Sequence, residues 1–160
     1  MAKSTAVERF VEAATELGVE VTVTRYPEGT RTAIDAAAAI GCDVAQIVKS
    51  LVFGSDSGYV LALTSGANRV DTDRLAEAHG VAVRRADADG VRDATGYAIG
   101  GTPPFGHRTQ LAVYLDPDLL TFDTVWAAAG TPDAVFPIAP AALRAATGAT
   151  VSEFTEASPA

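Results

Sequence analysis

Lys49 stands in an apolar run, IVKSLVF at residues 47–53, with Val48, Leu51, Val52 and Phe53 around it. About fifty residues further on, GYAIGGTPPFGH at residues 96–107 puts four glycines and two prolines into twelve positions. These two stretches hold the residue types whose spacing could do chemistry. A lysine among apolar neighbours is a cation suited to a phosphate or a developing oxyanion. It could equally be a strand-edge residue whose stem lets the ammonium reach water. A Schiff-base role is open too, although nothing else suggests a carbonyl cofactor site. Glycine frees φ and removes the Cβ, while proline fixes φ and removes a donor. A plain turn needs one or two such residues. Six of them make a stiff loop whose remaining N–H groups can come close to a ligand.

The other reactive side chains are sparse. His107 borders the loop and is a site candidate. His79 precedes Gly80 at a predicted helix end, where a cation suits the helix dipole, and reads as structural. The two histidines show no metal-ligand spacing. Cys42 falls in a helix-to-strand turn and reads as a buried, inert thiol. Asp116 in YLDPD closes a predicted strand and would cap the next turn through Pro117. Neither a nucleophile elbow, a P-loop, a dinucleotide fingerprint nor a zincin motif occurs. Catalysis without a side-chain nucleophile means positioning and electrostatics, with water or a substrate hydroxyl attacking.

The chain has 160 residues, 48% of them hydrophobic and 20% charged, which suits one domain with its own core. A single cysteine excludes an intramolecular disulfide framework and points to a reducing compartment. The sequence holds no apolar run near membrane-spanning length, and MAKSTAVERF lacks a signal-peptide core, so a cytoplasmic location without membrane attachment is expected. The net charge of −8 argues against a broad DNA or RNA grip. It leaves room for an enzyme that touches only the tip of a nucleic acid. Arg69, Arg74, Arg84, Arg85 and Arg92 fall in one stretch and form either a local basic patch or a solvated surface.

The elements that must position these residues follow from periodicity. Residues 4–17 carry a helical apolar stripe, capped by Ser4 and closed by Gly18. VEVTVTRY alternates as a strand, and AIDAAAAIG after Thr32 reads as a helix stopped by Gly41. QIVKSLVF and YVLALT form a hairpin about GSDSG. A helix capped by Asp71, a strand VAVRRA and a short helix at 89–94 lead into the loop. Beyond it come the strand LAVYLD, a hairpin of TFDTVWAA and AVFPI, the helix PAALRAATG and a last strand ATVSEF. The mixture predicts an α+β fold, a single domain over 1–155 around a mixed, mostly antiparallel sheet, with a frayed tail at 156–160.

IVKSLVF followed by TGYAIGGTPPFG resembles the YbaK/EbsC-like family, freestanding relatives of the editing domain inserted in bacterial prolyl-tRNA synthetases. The resemblance extends through the opening helix, TRTAIDAAAAIG, LTSGANRVD and the closing hairpin. It implies a cofactor- and metal-free aminoacyl-tRNA deacylase that hydrolyses the ester of a mischarged small amino acid, with the tRNA 3′ end as partner and a prolyl-tRNA synthetase as a possible second one. Lys49 would orient the tRNA end through its phosphate or ribose, and Gly100 and Gly101 would offer N–H groups to the aminoacyl moiety. Pro104 would stiffen the loop. Tyr26, Thr32, Ser50, Ser65, Thr102 and His107 complete the implied substrate-binding set. In that family no enzyme side chain attacks; the free ribose hydroxyl helps to activate water. Thr32 stands where the cysteine-editing branch has an aromatic residue, and its acidic position falls near Val135, with Asp133 as a shifted candidate. Cysteine, alanine, serine or another small amino acid therefore all stay open. A binding-only module for a tRNA end or nucleotide, or a protein that docks on a synthetase, are the competing readings.

Overall fold

The computed structural model describes residues 5–26 and 32–156. Five helices, α1 (Ala6–Glu16), α2 (Ala33–Ile40), α3 (Thr72–His79), α4 (Ala88–Thr95) and α5 (Pro140–Thr147), accompany eight strands. The strands are β1 (Thr24–Arg25), β2 (Ile47–Ser55), β3 (Gly58–Ser65), β4 (Arg84–Arg85), β5 (Ala112–Leu115), β6 (Val125–Ala128), β7 (Ala134–Ile138) and β8 (Thr150–Val151). Local chemistry sets the helix starts. Thr5 and Glu8 form a reciprocal capping box at α1; Ser4, the expected cap, lies outside the described residues. Thr32 caps α2 by accepting from the Asp35 N–H at 3.0 Å, and Gly41 ends it in the left-handed conformation, as the sequence suggests.

The sheet runs β1-β7-β6-β2-β3-β5-β8, with β4 also pairing β2. The β2–β3, β6–β7, β1–β7 and β2–β4 pairs are antiparallel, while β2–β6, β3–β5 and β5–β8 are parallel. The mixed α+β fold expected from the sequence is the one observed. Three strands keep only two ladder residues each, far fewer than their patterns predict. In VEVTVTRY, Val19, Val21 and Val23 pack against the core in alternation, yet only Thr24 and Arg25 pair with a neighbour. VAVRRA and ATVSEF likewise contribute two ladder residues each. Alternation reports which face is buried; pairing also needs a partner strand alongside. Glu156, placed in the tail by the sequence reading, donates to the Arg69 carbonyl at 2.8 Å, and residues 157–160 lie outside the described set.

One sheet face, carrying Val48, Val52, Leu61 and Leu63, packs against Phe10 of α1, Val91 of α4 and Leu143 of α5. On the other face, Phe53, Val60 and Ala62 meet Leu75 of α3, and Ile47 meets Ala36 and Ala37 of α2. Phe10, Phe105 and Phe136 form a triangle of rings with centroids 4.9–5.9 Å apart, which ties the glycine–proline loop to α1 and β7. The loop also docks on the β6–β7 turn through Gly130 N–H to Gly101 C=O at 3.0 Å. A Cβ on Gly101 would lie 2.7 Å from the Thr131 Cα, so only glycine permits this approach. Gly101→Ala is therefore expected to destabilise the protein by about 1–3 kcal/mol through forced backbone movement. Chemical denaturation measures it, and an unchanged midpoint would show that the loop and the turn separate freely.

Candidate active site

Along one edge β2 pairs with β3 at every position from Val48 to Ser55. Along the other it pairs with β6 only at Ile47 and Val48, and with β4 only at Phe53 and Gly54. The sheet therefore opens beside residues 49–52. The Val52 carbonyl accepts from Ala86 N–H at 3.1 Å on that side. In a ladder, residues two apart direct their backbone groups the same way. The N–H and C=O of Ser50 hence face the opening, with no strand among the described residues to pair them.

A cleft of about 410 Å³ occupies this opening. It is lined from both sheet faces: Lys49, Leu51, Arg85 and Trp126 on one, Val48, Ser50, Val52 and Ala127 on the other. The start of α2 contributes Thr32, Ala33 and Ile34, and the loop contributes Ile99, Gly100 and Thr102. Lys49 and Arg85 are the charged side chains among these described lining residues, and no carboxylate joins them. Ile34 and Ile99 sit at the cleft 72% and 55% exposed, the two most exposed large apolar side chains of the described chain.

The half-buried Lys49 donates from Nζ to the Asn68 carbonyl at 2.5 Å. Burial lowers its pKa below the ordinary lysine value, and the charges of Arg69 and Arg85 lower it further, with Asp116 opposing. Gly100 takes φ +86°, and its N–H meets no acceptor among the described residues. Ser50 Oγ is buried without a hydrogen-bond partner among the described residues. An unpaired hydroxyl in a cleft wall carries a penalty of about 1–3 kcal/mol that a ligand can relieve.

Of the residues named from the sequence, Lys49, Ser50, Thr32, Gly100 and Thr102 thus meet at one cleft. Gly101, Ser65, Pro104, Tyr26 and His107 are not among its described lining residues. Gly101 donates its N–H to the Ala98 carbonyl at 3.0 Å, so that donor is not free for an aminoacyl group. Buried Ser65 donates to the Ala45 carbonyl at 2.7 Å. Pro104, within the loop, is buried. Tyr26 donates its backbone N–H to the Asp133 carbonyl at 2.8 Å, at the edge of the described segment. His107 Nε2 lies 2.6 Å from the Pro103 carbonyl, and because a carbonyl only accepts, that nitrogen carries the proton. Val135 lines the cleft, whereas Asp133 pairs with Arg25 at 3.4 Å and accepts from Thr131, the bond that chiefly lowers its pKa. His79, in the last turn of α3, contacts Tyr114 and Ser57 as a structural residue would. Cys42 is half-buried rather than buried, and burial raises its pKa.

Ile34, Ile99 and Asn68 give no functional signal in the sequence, since apolar and amide side chains carry no distinctive spacing. Of the arginine stretch, Arg85 alone lines the cleft, while Arg74 donates to the Thr155 carbonyl at 2.7 Å.

Fold and cleft together define a single-domain α+β protein with a cation-bearing opening through its sheet. The family model of the aminoacyl-tRNA editing domain matches residues 27–146, and the chain belongs to that family. YwhH of Bacillus subtilis, a protein of uncharacterised function, is 32% identical over 130 residues, covering 81% of this chain and 83% of its own. EbsC of Enterococcus faecalis, named as a candidate Cys-tRNA(Pro)/Cys-tRNA(Cys) deacylase, is 28% identical over 132 residues, covering 81% and 80%. A crystal structure described as a candidate trans-editing enzyme for prolyl-tRNA synthetase superposes with TM-score 0.92 at 45% identity, over 98% of this chain and 100% of that one.

Burial holds the His107 pKa below the ordinary histidine value, with the Pro103 bond opposing. Below about pH 6.5 the unfolded chain then binds protons that the folded chain refuses, so stability falls as pH drops through that window. Thermal melts at pH 7.5 and 5.0 should show this loss, and His107→Gln should flatten it. An equal loss in the variant would place the proton uptake elsewhere.

Proposed function

We propose that the protein hydrolyses the ester joining a small, wrongly attached amino acid to the 3′ end of a tRNA, tRNA-Pro above all, acting in trans to a prolyl-tRNA synthetase. The observation that carries this reading is the cleft itself, where, among the described lining residues, two cations and no carboxylate join small apolar side chains and the Ser50 backbone groups that no described strand pairs. Lys49 and Arg85 suit the phosphate of the terminal nucleotide, and Arg69 adds its field from beside Asn68. Ile34 and Ile99 offer apolar flanks to the terminal base. The aminoacyl group enters the opening beside Ser50, where Val48, Val52, Val91 and Ala127 wall a space suited to a small side chain.

Water attacks the ester carbonyl carbon, and the Gly100 N–H stabilises the oxyanion that forms. The bond to the ribose oxygen breaks, that oxygen takes the proton given up by water, and free amino acid and tRNA leave. The neighbouring ribose hydroxyl positions the water, so no enzyme nucleophile is required. An apolar pocket discriminates one methylene by only about 1–3 kcal/mol, which is why a size-limited hydrolytic site complements a synthetase.

Deacylation of Ala-, Ser- and Cys-tRNA(Pro) by the wild type and Lys49→Ala tests the reading. Rapid loss of one aminoacyl group, slowed about a hundredfold in the variant, is expected for removal of a positioned charge. No hydrolysis of any member, with tRNA binding intact, would leave only a binding module. A second measurement reads the phosphate contact: the slope of log binding constant against log salt for uncharged tRNA should shrink by about 0.7 in Arg85→Ala. An unchanged slope would remove Arg85 from the interface.

A further inference from the structure

Asp116 closes β5 and is 1% exposed, which is unusual for a carboxylate that makes no ion pair among the described residues. It N-caps the short turn Pro117–Thr121, accepting from Asp118 N–H at 3.0 Å through Oδ1. That cap uses only one of its oxygens. The other, Oδ2, accepts from the backbone N–H of Ser65 at 3.0 Å and from Asn68 Nδ2 at 2.9 Å. The Asn68 amide also donates to Asp118 Oδ2 at 2.7 Å, so its side chain is held at two carboxylates. The carbonyl of this same Asn68 accepts the Lys49 ammonium at 2.5 Å.

We propose that Asp116, acting through Asn68, is the positioning residue that fixes the Lys49 ammonium at the cleft. The proposal rests on the hydrolase reading for what Lys49 does, but not for the linkage itself. The geometry has a mechanical logic. Lys49 sits where the sheet opens, and a four-carbon stem with its rotamer freedom needs an anchor to present one charge at one point. A neutral carbonyl supplies it, and the carboxylate is set back behind that carbonyl. A carboxylate in direct contact would neutralise the cation and compete with a phosphate. At one remove, Asp116 orients the acceptor and leaves the ammonium free to meet an anion.

The charges facing Lys49 are Arg69 from the β3–α3 connection, Arg85 from β4 and Asp116 from the end of β5, with Asp118 behind Asn68; among the described cleft-lining residues α2 and β6 add none. Burial and both arginines favour the neutral amine, and Asp116 alone of these favours the ammonium. Removing its charge should let Lys49 lose its proton at lower pH.

The chain contains two lysines, Lys3 and Lys49, so ¹⁵N-lysine labelling gives two signals and the cleft residue can be titrated directly without substrate. In Asp116→Asn the Lys49 titration is expected to move acidward, kcat/KM for deacylation to drop about tenfold, as loss of a hydrogen bond to a charged group implies, and the alkaline limb of the pH–kcat/KM profile to move with the titration. Asn68→Ala keeps the carbonyl but removes its tether, and should lower kcat/KM with a smaller change in titration. A folded Asp116→Asn protein with an unmoved Lys49 titration and a uniformly scaled pH profile overturns the proposal. Should that variant fail to fold, Asn68→Ala decides, and wild-type kcat/KM with wild-type titration overturns it. A titration that moves in a protein turning over no aminoacyl ester supports the linkage while overturning the hydrolase reading.

Discussion

The constraint on which the site depends is that β2 is fully paired along one edge and paired only near its ends along the other. A central strand normally has its backbone groups satisfied on both sides, because an unpaired buried amide forfeits a hydrogen bond. Here β6 and β4 diverge about residues 49–52, and what would be sheet interior becomes a cleft lined from both faces. The opening lets side chains from both sheet faces, Lys49 and Arg85 from one and Ser50 from the other, share one cavity. On a closed sheet Lys49 and Ser50, being adjacent, would be separated by the sheet itself.

Two packed elements border the opening. On one side α2 caps itself through Thr32 and packs Ala36 and Ala37 on Ile47. On the other, the glycine–proline loop is fixed by the phenylalanine triangle, by His107 on Pro103, and by Gly101 against the β6–β7 turn. Most of the loop's unusual residues serve this docking. Gly100 differs from them, combining a positive φ with an N–H that meets no acceptor among the described residues.

The acidic overall balance and a nucleic-acid substrate are compatible because the contact is small. Long-range charge governs non-specific association with a duplex, whereas a 3′ terminus presents few phosphates. Lys49, Arg69 and Arg85 concentrate positive potential at one place, and a buried aspartate behind Asn68 offsets part of their mutual repulsion. Charge composition therefore describes the surface as a whole, and the cleft departs from it locally.

Sequence by itself determined the elements whose cause is local. Thr32, Asp71 and Gly41 mark helix ends because caps act within a few residues, and the β2–β3 hairpin follows from alternation about a tight turn. Lys49 was visible as a cation out of place in an apolar strand, and the loop as an excess of glycine and proline. Tertiary structure decided which strands meet. The short pairings of β1, β4 and β8, the parallel contact of β2 with β6, and the gap between β6 and β4 depend on packing between segments far apart in the chain. The same packing sorted the candidates, sending Ser65, Pro104, Gly101 and His107 to the scaffold and bringing Arg85, Ile34 and Ile99 to the cleft. It also gave Asp116 a partner in Asn68, 48 residues away. A periodic pattern encodes which face is buried, but not which neighbour buries it, and the site is made of neighbours.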